Sequence, residues 1–159
     1  MKILKIIIVT ISLGLSLSAW SQKQDTLGFD YEDHQGTTIL LPTWNNIFNT
    51  ITMPDSIFME LMDLYKYKFI DEKGYYWKMS EGEDSQFYIE HELGFMRFVW
   101  KNSTIKTSDL ESMLQSEYVK TKPDGTKIFQ MMPDEDNKVE IQILNTKQLG
   151  MVSVDFLSE

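Results

Sequence analysis

The sequence predicts an α+β protein with a mainly antiparallel sheet and helices packed on one face. Segments with apolar residues three and four apart, as in helices, precede segments in which apolar and polar residues alternate, as in half-buried strands. This order of segments occurs twice, in residues 54–100 and 106–156, which predicts a tandem α-β-β-β pseudo-repeat.

Residues 1–21 have the pattern of a cleavable signal peptide. Two lysines precede an apolar run over residues 6–17, and Ala19 and Ser21 are small residues at the positions that define cleavage. A membrane anchor is the alternative, but the uninterrupted apolar part is shorter than the roughly 20 residues that a spanning helix needs. We therefore expect export to the periplasm or the extracellular space, with a mature chain that starts at Gln22 and has no membrane span.

Composition narrows the function classes. The chain contains no cysteine, which excludes disulfides, thiolate metal sites and a cysteine nucleophile. Removal of the signal peptide also removes two lysines and changes the formal net charge from −9 to −11, with 13 basic against 24 acidic side chains. This charge disfavours nucleic acid and anionic lipid as partners. The length predicts a single compact α+β domain over residues 37–159, after a polar lead-in of residues 22–36.

Two short elements are expected before the repeat. Residues 37–41, TTILL, have the β-branched content of a strand, and Pro42 ends it. The next apolar residues share one face of a predicted helix: Trp44, Ile47, Phe48 and Ile51.

The two copies of the repeat match in core-facing character at an offset of 52 residues, which becomes 56 for the last strand. The matched positions include Phe58 with Leu110, Trp77 with Phe129, Ile89 with Ile141, and Phe98 with Val154. Each copy is predicted to be one helix followed by three strands. The first helix starts near Pro54, and the second starts at Ser108, where Glu111 completes a capping box. The predicted buried stripes are Phe58, Leu61, Met62 and Tyr65, and then Leu110, Met113, Leu114 and Tyr118.

The stretch HELGF is one residue away from the HExxH signature of zinc proteases, because Phe95 stands where that signature has its second histidine. The surrounding residues alternate as in a strand, not as in a helix. On a strand, His91 and Glu92 point to opposite faces, so we predict a structural or partner-facing histidine and no zinc site.

The same stretch predicts a hairpin with Leu93 and Gly94 at its tip. This register places Glu90 opposite Arg97, an opposite-charge pair. On the other face it pairs Phe87 with Trp100, Ile89 with Phe98, and His91 with Met96. A three-residue turn that ends on Gly94 is the alternative, and it would shift every pair by one.

Other catalytic or metal patterns are weak. We interpret His34 as a solvated histidine of the lead-in, since no G-x-S-x-G elbow accompanies it. The acidic clusters at 81–84 and 134–136 lack the spacing and the glycine of a calcium loop. No phosphate-cradling glycine loop occurs, and we expect no cofactor and no bound metal.

Aromatic residues give the remaining signal. In GYYWKM, alternation that points Trp77 inward points Tyr76 outward, and Tyr88 would point outward on the next strand, beside Glu90 and Arg97. Exposed aromatic side chains can stack on sugar rings or anchor a protein partner. The predicted binding residues are Tyr76, Tyr88, Glu90 and Arg97.

The sequence therefore favours a small, exported, acidic, non-enzymatic module that binds a protein partner through a sheet face or a sheet edge. The alternative is a ligand- or carbohydrate-binding protein, or a hydrolase, with a cleft of carboxylates and aromatics. A deep cleft lined by several acidic residues would favour the alternative, and a closed core with a flat aromatic face would favour the first.

Overall fold

The computed structural model describes residues 23–24, 27–34, 36–71, 75–79, 85–132 and 137–158. The predicted signal peptide and the acidic clusters at 81–84 and 134–136 lie outside the described residues. The described part contains three α-helices and eleven strands in two antiparallel sheets. The mixed α+β class with a mostly antiparallel sheet is therefore confirmed.

The smaller sheet is formed by β1 (Lys23–Gln24), β2 (Asp30–His34) and β3 (Thr37–Leu40), in that order. The strand predicted from TTILL is thus confirmed. Strand β2 lies within residues 22–36, whose polar composition predicts a lead-in without regular structure. It forms because its backbone pairs with the β-branched residues of β3, a contact that does not depend on apolar side chains in β2.

Helix α1 (Trp44–Thr50) confirms the helix that the apolar spacing predicts. Thr43 caps it, since the Thr43 hydroxyl oxygen accepts a hydrogen bond from the backbone N–H of Asn46 at 3.3 Å. Ile47 is buried, whereas Phe48 is exposed. A helix of two turns therefore packs a narrower face than the predicted stripe.

The larger sheet is built from two runs of one helix and four strands. Helix α2 (Asp55–Leu64) precedes β4 (Lys68–Asp71), β5 (Tyr75–Met79), β6 (Gln86–Glu92) and β7 (Phe95–Lys101). Helix α3 (Ser108–Met113) and a short 3₁₀ helix (Gln115–Glu117) precede β8 (Tyr118–Thr121), β9 (Lys127–Met131), β10 (Asn137–Asn145) and β11 (Leu149–Ser158). The strand order is β4-β5-β6-β7-β11-β10-β9-β8, antiparallel throughout, so the two runs meet where β7 pairs with β11.

Each helix is followed by four strands, not by the three that the sequence predicts. The additional strands, β4 and β8, are the two edges of the sheet. Their described side chains are exposed, so apolar and polar residues do not alternate there and periodicity gives no signal. Tyr118 begins β8 and does not belong to the helix stripe that the spacing assigned to it.

The hairpin between β6 and β7 has the predicted register. Glu90 is opposite Arg97, and the tip is the two-residue turn of Leu93 and Gly94. Gly94 has φ +85°, a conformation that costs a glycine little. Its N–H donates to the carbonyl oxygen of Ile51 at 2.9 Å, so the tip is tied to the end of α1.

One hydrophobic core collects alternate strand residues and the buried sides of the helices. The stripe predicted for α2 is buried: Phe58, Leu61, Met62 and Tyr65. In and after α3, Leu110 and Leu114 are buried but Met113 is half-exposed, because the α-helix ends there and the chain turns into the 3₁₀ helix. No helix within the described ranges is long and apolar enough to cross a membrane.

Candidate functional site

The outer face of the larger sheet, opposite the helices, carries rows of side chains that run across the strands. The first row, here called the apolar row, contains Tyr88, Val99, Met151 and Leu144, each directly opposite the next on β6, β7, β11 and β10. All four side chains are partly exposed. Because aromatic residues and methionine are enriched at protein interfaces, this row offers contact area of the kind that partners use.

The second row, here called the polar row, lies two residues along the strands and contains Glu90, Arg97, Ser153 and Gln142. The Arg97 Nη1 donates to Glu90 Oε2 at 2.8 Å, which confirms the predicted cross-strand pair. The guanidinium carbon lies 5.0 Å from the centroid of the Phe95 ring. The pair and the ring hold the Arg97 side chain in place, although 39% of that side chain remains exposed.

The Arg97 guanidinium has N–H donors that the ion pair with Glu90 does not use. Its Nε is buried, and no described residue accepts a hydrogen bond from it. Among the described residues Glu90 engages Nη1, and because the Nε is buried, a carboxylate of a partner would meet the Nη groups at the exposed end of the guanidinium.

A lysine flanks the other side of the apolar row. The Lys101 ammonium lies 5.3 Å from the centroid of the Tyr88 ring, a cation–π contact. The Tyr88 hydroxyl donates to Gln86 Oε1 at 2.8 Å. Tyr88 is therefore oriented from two sides and keeps a partly exposed ring on the outer face, as the sequence predicts.

Tyr76 does not belong to this face, and its predicted outward orientation is wrong. Its side chain is 4% exposed and contacts the ring of the buried Phe58 and that of the half-exposed Phe69, with ring centroids 5.4 Å and 5.5 Å away. Burial raises the pKa of the Tyr76 hydroxyl, and the charge of Asp55 adds to the rise. Tyr76 is therefore a core residue.

The strand register explains this correction. Tyr76 is paired with the core residue Ile89, whereas Trp77 is paired with Tyr88 of the outer face. Both alternating sets of β5 contain aromatic residues, so the sequence shows that the strand alternates but not which set faces the core.

His91 is held inside the protein. Its Nε2 donates to the carbonyl oxygen of Thr50 at 2.9 Å, and its Nδ1 lies 3.4 Å from Asp55 Oδ1. Glu92 is exposed on the opposite side of the strand, as strand geometry requires. No group of three or more histidine or acidic side chains among the described residues is arranged to hold a metal ion.

His34 is not simply solvated. Its Nε2 lies 3.2 Å from the Ser103 hydroxyl oxygen, and its ring meets the Phe87 ring edge-on at 5.3 Å. In the described part of the chain no carboxylate contacts its other ring nitrogen, so the pair lacks the orienting acid of a catalytic triad. The contact with Phe87 joins β2 to the larger sheet.

The structure thus brings together three of the four predicted binding residues, namely Tyr88, Glu90 and Arg97. Sequence reasoning did not select Val99, Met151 or Leu144, although alternation along β7, β10 and β11 would assign each to the outer face. Which strands are neighbours decides that these residues form one row, and the pairing of β7 with β11 has no local sequence signal. No family model, curated protein or solved structure matches this chain.

Proposed function

We propose that this chain is a small, exported, acidic, non-enzymatic binding module that holds a protein partner on the outer face of its larger sheet. The observation that carries the proposal is the apolar row, whose side chains are partly exposed across four adjacent strands. Arg97 lies in the adjacent polar row, diagonal to Tyr88 of the apolar row, and tyrosine and arginine dominate the binding energy of many interfaces.

The two edges of the sheet are poorer binding surfaces than its face. The pairing register shifts between Phe69 and Asp71 in β4 and between Tyr118 and Lys120 in β8. Such irregularities bend an edge strand and hinder the addition of another strand. This favours the face over the edges as the contact surface.

We also propose that the larger sheet arose as a tandem repeat, with each copy a helix followed by a four-stranded meander. The central pairs support this: Ile89 with Phe98 in one copy, and Ile141 with Val154 in the other. Beside them, Tyr76 pairs with Ile89 as Phe129 pairs with Ile141. Tyr76, rather than Trp77, is therefore the proposed counterpart of Phe129.

Export is the second part of the proposal, and it rests on the sequence of residues 1–21. We expect the mature chain to begin at Gln22, because Ala19 and Ser21 fit the cleavage pattern. Mass spectrometry of the chain recovered outside the cytoplasm measures this directly, and an intact Met1 start there would contradict it.

Site-specific photo-crosslinking tests the binding face. A photo-reactive residue replaces Val99 or Met151 in the full chain, which is expressed in its own host and irradiated. Both positions should give an adduct with the same protein, since both lie in the apolar row. Arg97→Glu should weaken the adduct, because it replaces the charge that pairs with Glu90 and removes the spare donors.

The matched control is Leu64, an exposed apolar residue at the end of α2, away from the outer face. A photo-reactive residue there should give no such adduct. Equal adducts from Leu64 and Val99, or none from Val99 and Met151, would contradict the proposal.

A further inference from the structure

We propose a second binding site, for a neutral saccharide, in a groove between α3, the edge strand β8 and its neighbour β9. The groove has a volume of about 520 Å³, within the range of roughly 300–1,000 Å³ that is typical of small-molecule sites. It lies on the helix side of the sheet, where Phe129 faces the core, so it is separate from the outer face.

The charges in the groove cancel. Lys127 Nζ forms an ion pair with Glu111 Oε2, and the hydroxyl of Thr107 donates to Glu111 Oε1 at 2.8 Å. Thr107, rather than Ser108, is thus the residue that precedes α3 and contacts Glu111, one position earlier than the predicted capping box. An anionic ligand would meet Glu111 and a cationic one Lys127, so the groove suits an uncharged ligand.

Six of the eight described residues that line the groove are polar or charged. Ser108, Ser112 and Gln115 are among them, and all three residues are exposed. Hydroxyls and amides both donate and accept hydrogen bonds, as the hydroxyl groups of a saccharide do. An apolar ligand would leave these groups without partners, and this disfavours lipids or hydrocarbons.

An aromatic side chain forms one wall. Tyr118 is 49% exposed, and its hydroxyl is hydrogen-bonded to Thr121 Oγ1 at 2.9 Å. Phe129 supports it from below, with the two rings nearly perpendicular and their centroids 5.9 Å apart. A supported, half-exposed ring beside hydroxyls and an amide provides both an apolar surface for the C–H face of a sugar and partners for its hydroxyl groups.

The groove favours binding over hydrolysis. A glycosidase places two carboxylates on either side of the bond to be cleaved. Among the described residues that line the groove, Glu111 is the one carboxylate, and Lys127 and Thr107 already engage both its oxygens. We therefore assign to the groove recognition of a saccharide without turnover.

A multivalent array of neutral and acidic oligosaccharides, probed with the labelled chain of residues 22–159, tests this inference. The wild-type chain should bind neutral oligosaccharides and not their sialylated or sulfated forms. Tyr118→Ala should bind about tenfold more weakly or worse, as expected when an aromatic contact is lost. Gln115→Ala, an exposed position where folding is not at risk, should also weaken binding.

Tyr88→Ala is the matched control, since it removes a tyrosine from the outer face and should leave saccharide binding unchanged. Absence of any bound neutral oligosaccharide, or equal binding by the wild type, Tyr118→Ala and Gln115→Ala, would overturn the inference. A loss that follows Tyr88→Ala instead would place the saccharide on the outer face and would also overturn it. None of these outcomes depends on the crosslinking result.

Discussion

The imidazole ring of His91 lies parallel to the phenyl ring of Phe58, with ring centroids 4.0 Å apart and an angle of 9° between the planes. The Thr50 carbonyl oxygen accepts from its Nε2, and Asp55 stands beside its Nδ1. His91 therefore joins β6 to the end of α1 and the start of α2, which is a structural role.

We predict that zinc does not bind specifically at His91. The Nε2 donates its proton to Thr50, the Nδ1 faces the single carboxylate of Asp55, and Glu92 points to the other side of the strand, so the described residues offer fewer ligands than the three or four of a zinc site. Melting temperatures of the wild type and His91→Ala should each be unaffected by added zinc. A zinc-dependent rise in the wild type that disappears in His91→Ala would contradict this.

Truncation of the two central isoleucines tests the alternation within the strands. Ile89 and Ile141 are both buried, so Ile89→Ala and Ile141→Ala should each lower the free energy of unfolding by about 2–5 kcal/mol. Glu90→Ala and Gln142→Ala, one residue along on the outer face, should each cost about 1 kcal/mol or less. Urea unfolding measures all four, and a sensitive Ile89 with an insensitive Ile141 would count against the tandem repeat.

Gly150 is predicted to be essential for stability, because Trp100 occupies the space that a side chain at position 150 would need. A Cβ at position 150 would lie 1.9 Å from Trp100 Cε2, and the two residues are directly opposite on β11 and β7. Gly150→Ala should destabilise the protein by about 3 kcal/mol, the upper end of the usual cost of overpacking. In a Trp100→Ala background the same substitution should cost much less, and a double-mutant cycle with no coupling would show that the contact is not responsible.

Lys78 is predicted to make the free energy of unfolding change with pH in the alkaline range. Its ammonium donates to the carbonyl oxygens of Thr38 and Tyr65. Burial lowers the pKa of Lys78 below 10.5, and Lys66 lowers it further. The folded state therefore releases this proton at a lower pH than the unfolded state does, so stability rises as the pH passes through the folded pKa towards 10.5.

The measurement compares the wild type with Lys78→Met, which lacks the titrating group. As the pH rises towards 10.5, the free energy of unfolding of the wild type should increase relative to that of the variant. A difference that stays constant or falls over this range would show that Lys78 does not titrate in this way.

Local patterns in the sequence predicted what depends on local contacts. The β6–β7 hairpin has the first of the two registers that the sequence left open, the one that pairs Ile89 with Phe98 and Glu90 with Arg97. The stripe of α2 was predictable because it faces a core on one side only.

Features that depend on distant contacts were not predictable. Tyr76 was assigned to the wrong face because the phase of β5 is set by its pairing with β6, and not by its own residues. The edge strands β4 and β8 were not predicted, because their described residues are exposed and apolar and polar residues do not alternate along them. The apolar row combines β6 and β7 with β10 and β11, and only the strand order of the folded sheet brings Val99 and Met151 together.

The place of β11 has a consequence for how the protein folds. Every other strand precedes β11 in the chain, yet β11 lies in the middle of the larger sheet, between β7 and β10. Phe98 of β7 must pair with Val152 of β11, more than fifty residues later in the chain, before the two halves of the sheet are joined. Contacts of such long sequence separation slow folding, because the loop must close before the contact stabilises it. The two halves of the larger sheet therefore cannot join until residues 149–158 are available to pair with β7.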